Sequence, residues 1–266
     1  MTQFIRNKEQ IIKEIIDTAP FVASNFRVLQ KLDPNDHYWL IFNEPEKIKV
    51  DGVMIETAMV VNWIGKTFHP KRILEIGTRT GGSLISLLSN YNSFDNVEVV
   101  SFDLWREYAS TTFASKTISK LKNQKSDSFY GNINISEKKL KLFEGMIRKL
   151  SINKVKRNLK YFNIPSDIIQ FISGDSKVTV PAYFEQFPEK KFDYILVDGA
   201  HDEESAQADL RNVAGHVSEN GLIAFDDISE LSYNLIKVWN RFKEEQSANF
   251  DFIEIDCRKG MGLAFK

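Results

Sequence analysis

The apolar positions along the chain follow two patterns, helical spacing and short continuous runs. Over residues 8–26 they recur at helical spacing (Ile11, Ile12, Ile15, Ile16, Ala19), which predicts an amphipathic helix ahead of the main body. Residues 33–36 (DPND) mark a turn, and the mixed stretch up to residue 50 predicts no element. The segment GVMIETAMVVNWIGKTF has no internal proline and predicts a helix ending near His69 and Pro70. After it come short, continuous apolar runs, RILEI, VEVVSF, DIIQFIS, KFDYILV and LIAF, and the chain closes with FDFIEID and GMGLAFK. Runs of this kind are the mark of strands buried on both faces. Helical patterns separate them: residues 84–88, SINKVKRNLKYFNI, DEESAQADLRNVAGHV with Asn220 and Gly221 as its stop signal, and residues 231–245. Strands alternating with helices predict an α/β fold with a parallel sheet, whose ligands lie beyond the carboxyl ends of the strands.

The first chemical signal is KRILEIGTRTGGS at residues 71–83. A strand holding Glu75 runs into a loop with Gly77, Gly81 and Gly82, and then into a helix. Little side-chain bulk in such a loop lets a ligand reach the backbone, and the free N–H groups that open the helix favour a polar or anionic group. A plain turn would use the same glycines, so the weight falls on the other strand ends. VEVVSF ends in Asp103, FISGDS closes with Asp175 and Ser176, the next strand ends in Asp198, and LIAFDD ends in Asp226 and Asp227. A parallel sheet would bring these acids to one edge. Asp103 follows Glu75 at a longer interval than the ~20 residues usual in dinucleotide folds, yet stands where it can accept hydrogen bonds from both ribose hydroxyls. Helix capping is its alternative use.

Composition narrows the class. A chain of 266 residues, 42% of them hydrophobic, can bury a substantial core as one large α/β domain with additions. It has no run of about 18 apolar residues and its start lacks the apolar stretch of a secretory signal, so a cytoplasmic protein without membrane contact is expected. The single cysteine, Cys257, excludes an internal disulfide and a cysteine-cluster zinc site. A net charge of −1 gives no general attraction to nucleic acid. Residues 105–150 exceed what the alternation needs and predict an ordered helical insertion or lid. Residues 116–160 hold thirteen Lys or Arg against Asp127, Glu137 and Glu144. Such a run is either a solvated face or a surface for a phosphate- or carboxylate-bearing substrate.

On ILEIGTRTGGS, VVSFD, FISGDS, YILVDGAHD with the following ADL, and GLIAFDD, the chain resembles class I S-adenosylmethionine-dependent methyltransferases. More narrowly, it is similar to the metal-dependent O-methyltransferases of the macrocin and novobiocin type, which modify sugars and phenols in natural-product pathways. The resemblance covers residues 51–266, the methyltransferase domain, without the basic insertion at 105–150; residues 1–50 are read as a helical N-terminal extension. It implies a Rossmann-like, seven-stranded, mostly parallel sheet with helices on both faces and an antiparallel last strand. It also implies S-adenosylmethionine and a divalent cation, usually Mg2+. Glu75, Gly77, Thr78 and Ser83 would line the amino-acid part of the donor, Asp103 would hold the ribose, and Asp175 with Ser176 would flank the adenine. Asp198, Asp226 and Asp227 would be the metal ligands, which agrees with the need of three clustered carboxylates for a neutralising cation.

The implied reaction is methyl transfer to a hydroxyl of a small molecule, an acceptor that can itself be anionic, in a protein compatible with a homo-oligomer. The family draws a base from just after the first metal aspartate; here Ala200 stands second after Asp198 and cannot serve, which leaves His201 or Asp202. An imidazole is the side chain whose ordinary pKa lies near working pH, so His201 is preferred, with Asp198 beside it; the alternative is that His201 only orients Asp198. Two other functions compete: a methyltransferase acting on protein or nucleic acid through the basic insertion, and a non-catalytic donor-binding module. A nicotinamide-dependent oxidoreductase is disfavoured because GTRTGG departs from the G-x-G-x-x-G spacing.

Overall fold

A computed structural model of the chain describes residues 8–18, 26–31, 38–42, 55–105, 137–229, 233–256 and 259–266. Helix α1 (Lys8–Ile16) is followed by β1 (Phe26–Lys31) and β2 (Tyr38–Phe42), which pair as a two-stranded antiparallel sheet, and by α2 (Ile55–Phe68). The main body starts with β3 (Arg72–Ile76), α3 (Gly82–Leu88), β4 (Glu98–Asp103), α4 (Glu137–Tyr161) and β5 (Ile169–Ser173). It continues with α5 (Ser176–Gln186), β6 (Phe192–Val197), α6 (Glu203–Ala214) and β7 (Val217–Phe225). Helix α7 (Ile236–Gln246), β8 (Asp251–Ile255) and β9 (Met261–Phe265) complete it.

The seven main strands lie in the order β5-β4-β3-β6-β7-β9-β8. β3 to β7 pair in parallel, and β9 runs antiparallel to both β7 and β8. This is the expected Rossmann-like sheet with a reversed last strand. The strand order reverses at β3, which has β4 on one side and β6 on the other, and a ligand crevice opens at such a switch point.

Both faces of the sheet are covered, which is why the strands read as unbroken apolar runs rather than alternating ones. Ile73, Tyr194, Leu196 and Leu222 pack in one core with residues of α2, α3 and α4. Their chain neighbours Leu74, Ile195, Val197 and Ile223 point to the other face and pack with residues of α5, α6 and α7. Each such side chain contributes about 1.5–3 kcal/mol on burial. Ile11 and Ile15 of α1 join the first core, and the indole N–H of Trp63 donates to Glu14 Oε2 at 2.9 Å, so the extension is docked on α2.

Three local features differ from the sequence reading. The first helix ends at Ile16 rather than near residue 26, with the Thr18 hydroxyl donating to the Ile15 carbonyl at 2.6 Å. Where no element was predicted, β1 and β2 pair from Phe26↔Phe42 to Lys31↔Tyr38; aromatic and branched residues such as those of YWLIF favour a strand over the mixed composition around them. The extension is therefore not helical throughout. Residues 137–150 of the insertion belong to α4, which starts a full fourteen residues before SINKVKRNLKYFNI; residues 106–136, the rest of the proposed lid, lie outside the described residues. Among the described residues no helix is long and apolar enough to cross a membrane.

Helix α7 is fixed to the reversed strand by close approach at one glycine. A Cβ at Gly262 would lie 2.4 Å from Cε2 of the buried Trp239, whose indole N–H donates to Glu254 Oε1 at 3.1 Å. Gly262→Ala should therefore destabilise the protein by about 1–3 kcal/mol, the cost of overpacking a filled core. Urea denaturation measures it, and an unchanged midpoint would contradict this account of the α7 packing.

Candidate functional site

Backbone hydrogen bonds lace the ends of β3, β4, β6 and β7 together. Gly77 N–H donates to the Phe102 carbonyl (2.9 Å), Asp198 N–H to the Ile76 carbonyl (2.9 Å), and Asp226 N–H to the Val197 carbonyl (3.2 Å). Gly77 has φ 94°, and a Cβ there would fall 1.8 Å from the Asp198 carbonyl oxygen, so only glycine allows β3 and β6 to meet this closely. One edge thus collects Glu75, Asp103, Asp198, Asp226 and Asp227.

On the β4 side, Asp103 accepts the N–H of Arg79 at Oδ2 (2.7 Å) and of Trp105 at Oδ1 (2.6 Å), which fixes its carboxylate beside the glycine loop. The Ser83 hydroxyl, at the start of α3, donates to Glu75 Oε1, while the Thr78 hydroxyl meets Ser101 at 2.7 Å. Glu75 Oε2 is buried without a hydrogen-bond partner among the described residues. Burial pushes the Glu75 carboxyl up to about 7; hydrogen bonds from Ser83 and Thr78 oppose the rise, and Asp198 and Asp103 add to it. A buried carboxylate oxygen of this kind costs stability unless something donates to it, and a ligand ammonium group would do so.

Asp175 and Ser176 follow the neighbouring end of β5, where Gly174 N–H donates to the Asp103 carbonyl (3.1 Å). The exposed Asp175 carboxylate caps α5, accepting Lys177 N–H at 3.0 Å. Helix α4 covers the loop from the other side: Asn158 donates to the Thr80 carbonyl (2.9 Å), Ser151 to the Trp105 carbonyl (3.0 Å), and Val155 touches Gly81. Three basic side chains of α4 face the β5 edge of the sheet. Arg148, Lys149 and Lys156 line a cavity of about 500 Å³ with Ser173 of β5, three strand positions from β6.

On the β6 and β7 side, Asp198, His201 and Asp227 offer ligand atoms that all lie within 4.8 Å of one another. His201 Nε2 is 3.2 Å from Asp227 Oδ2 and 3.8 Å from Asp198 Oδ1, and its ring stacks on Tyr233 with centroids 3.7 Å apart. Asp226 does not belong to that set. Its Oδ2 accepts from the Thr57 hydroxyl (3.0 Å) and from Lys259 Nζ (3.3 Å), and the same ammonium reaches Asp227 Oδ1 at 2.7 Å. Burial raises the Asp226 carboxyl, Lys259 opposes the rise, and Asp198 and Asp227 add to it. Burial works against the charge on Lys259, but Asp226, Asp198 and Asp227 outweigh it and hold the ammonium above the ordinary lysine range. Two carboxylates and an imidazole form a hard oxygen and nitrogen donor set that fits a divalent cation such as Mg2+ or Mn2+.

The two candidates for a base differ in their surroundings. Asp202 caps α6, accepting Ser205 N–H at 2.9 Å, and this hydrogen bond holds its carboxyl below the usual range. His201 faces the acids. The sequence assigned no role to Thr57, Lys259, Tyr233 or Asp209. Asp209, the acid of ADL, is fully buried behind Gly199, where a Cβ would lie 3.1 Å from its Oδ2. Burial pushes it up to about 7, with the Ser176 hydroxyl opposing and Asp175 and Asp202 reinforcing.

Residues 74–228 match the family model described as "Methyltransferase domain", more than half of the chain. No curated protein matches it. Among solved structures, the chain is similar to a Staphylococcus aureus protein assigned as a caffeoyl-CoA O-methyltransferase, with TM-score 0.50 and 15% identity over 98% of this chain and 99% of that one. It is similar also to TomG of Streptomyces achromogenes, an O-methyltransferase involved in tomaymycin synthesis, solved with S-adenosylmethionine, with TM-score 0.50 and 13% identity over 98% and 99% of the two chains. At these identities the likeness is one of fold.

The raised carboxyl of Asp209 makes stability depend on pH. Its folded value of about 7 stands above the unfolded 3.8, so the folded state binds the extra proton, and the contribution is full below the unfolded value and lost as pH rises through about 7. Asp209→Asn keeps the shape and removes the titration. Relative to the parent, the variant should melt higher at pH 8 than it does at pH 5; an equal difference at both pH values would contradict the assignment.

Proposed function

The chain belongs to the methyltransferase-domain family, and we propose that it is an S-adenosylmethionine-dependent O-methyltransferase that acts on a small hydroxyl-bearing molecule with a divalent cation. One observation carries the reading: a buried, partly unpartnered Glu75 and a fixed Asp103 stand on the same sheet edge as the compact set of Asp198, His201 and Asp227. When bound, S-adenosylmethionine supplies a methyl group activated on a sulfonium, and a divalent cation supplies a Lewis acid for the acceptor oxygen.

The residues divide the work by position. Glu75, with Gly77, Thr78 and Ser83, would hold the amino-acid part of the donor through the free Oε2, and a ligand ammonium there would draw the Glu75 carboxyl back toward its ionised form. Asp103 would accept from the ribose hydroxyls, and Asp175 with Ser176 would flank the adenine at the next strand end. Asp198 and Asp227 would hold the cation, with His201 beside them; Asp226, the third ligand that the resemblance implies, meets Lys259 and Thr57 instead.

Removing the hydroxyl proton falls to His201. Its Nε2 points at Asp227, so with that nitrogen carrying the hydrogen, Nδ1 is free to accept the proton. Asp227 and Asp198 then stabilise the imidazolium that forms, and the stacked Tyr233 ring fixes the plane of the imidazole. The acceptor needs a hydroxyl that can be presented beside this set, and paired oxygens as in catechols and sugars suit a cation with open positions.

Two variants separate the roles in one experiment. Asp227→Asn should weaken Mg2+ affinity and lower turnover together. His201→Ala should lower the single-turnover rate by roughly 10²–10⁴-fold if it is the base, with less effect on Mg2+ affinity. Release of S-adenosylhomocysteine with catechol and sugar acceptors measures the rate, and calorimetry measures the metal. Turnover that ignores both chelator and Asp227→Asn would refute the cation-assisted mechanism.

A further inference from the structure

The acid cluster already contains one cation of its own. Lys259 comes from the segment between β8 and β9, far from the glycine loop in sequence, and only 11% of its side chain is exposed. Its ammonium is 2.7 Å from Asp227 Oδ1 and 3.3 Å from Asp226 Oδ2. The backbone leaves it little choice. Ser229 N–H donates to the Lys259 carbonyl (2.7 Å) and Ile228 N–H to the Gly260 carbonyl (3.2 Å), which clamps residues 259–260 onto the chain just past Asp227. Gly260, at φ 70°, lets that clamp close: a Cβ there would lie 2.9 Å from Ser229 N.

We propose that Lys259 is a built-in counter-ion that takes up the charge of Asp226 and so sets how tightly Asp198 and Asp227 hold a divalent cation. The formal charges carry the argument. Three aspartates and one lysine leave a cluster of −2, which a divalent ion neutralises fully; without the lysine the cluster is −3, and without Asp226 it is −1. Lys259 thereby performs two jobs of opposite sign. It stabilises the metal-free protein, in which buried carboxylates would otherwise face one another, and it repels an incoming cation. It is a positioning residue, since it touches the acids and not the acceptor. The metal-affinity half of this proposal rests on the cation-binding reading above; the metal-free half does not.

A charge-balance cycle tests it, using Lys259→Met, Asp226→Asn and the double variant of the full chain, with Mg2+ and Mn2+ as probes in calorimetry. Lys259→Met should bind the ion about tenfold or more tightly than the parent, Asp226→Asn more weakly, and the double variant within about threefold of the parent. In chelator, Lys259→Met should melt roughly 5–10 °C lower, and adding Asp226→Asn should recover most of the loss. Unchanged or weaker metal affinity in Lys259→Met would overturn the proposal, as would a double variant that binds as weakly as Asp226→Asn alone. Should Lys259→Met fail to fold, the double variant still decides: folded with parental affinity it supports the counter-ion, and folded with the affinity of Asp226→Asn it refutes it. A parent chain that takes up neither ion would instead refute the cation-binding reading, while the melting comparison in chelator still judges Lys259.

Discussion

Like charge is concentrated at one edge of this protein because the parallel sheet points every strand end the same way. β3, β4, β6 and β7 bring Glu75, Asp103, Asp198, Asp226 and Asp227 to that edge, and the hydrogen bonds from Gly77, Asp198 and Asp226 N–H groups to neighbouring strand ends keep them there. Burying carboxylates together is costly unless each finds donors or a counter-charge. The fold answers four of the five locally. Asp103 takes two backbone N–H groups, Glu75 takes the Ser83 hydroxyl, Asp226 takes Thr57 and Lys259, and Asp227 takes Lys259 and faces His201. What is left over is the chemistry: Glu75 Oε2 lacks a partner among the described residues, and two carboxylates with an imidazole share one small volume.

This arrangement divides the edge at the switch point. On the β4 side the groups suit a ligand with an ammonium and ribose hydroxyls; on the β6 and β7 side they suit a hard cation and a proton acceptor. Gly77 is the hinge between the halves, since its missing side chain lets the glycine loop rest on the Asp198 carbonyl. The packing of α4 on Thr80, Gly81 and Trp105 holds the loop beside Asp103.

Much of the fold was legible because its signals are local. A strand buried on both faces writes a continuous apolar run, a strand end at a functional edge writes an acid, and the sharp turn at Gly77 writes a glycine. The two-stranded sheet at residues 26–42 was missed because its pairing depends on a partner strand and not on composition, and the early start of α4 was hidden by a polar, basic sequence with little helical periodicity. Within the site, the gathering of the glycine loop and the strand-end acids at one edge was legible from their positions after the apolar runs. Lys259 was not, for a physical reason: RKGMG carries no motif, and only the antiparallel return of β9 beside β7 brings that lysine to Asp226 and Asp227. Asp209 belonged to a quoted motif, but its burial behind Gly199 is a tertiary fact.

The central claim is that Glu75 and Asp103 form a donor half that works without the cation half. Calorimetry of S-adenosylmethionine with the metal-free protein tests it most directly, repeated at pH 6 in buffers of different ionisation enthalpy. Glu75 has its carboxyl raised to about 7 in the free protein, so it is largely protonated at pH 6, and a ligand ammonium should drive that proton off. The account predicts one donor molecule per chain in the presence of chelator, with a fraction of a proton released on binding and the release lost in Glu75→Gln. No binding heat, with chelator or with added Mg2+, would contradict it.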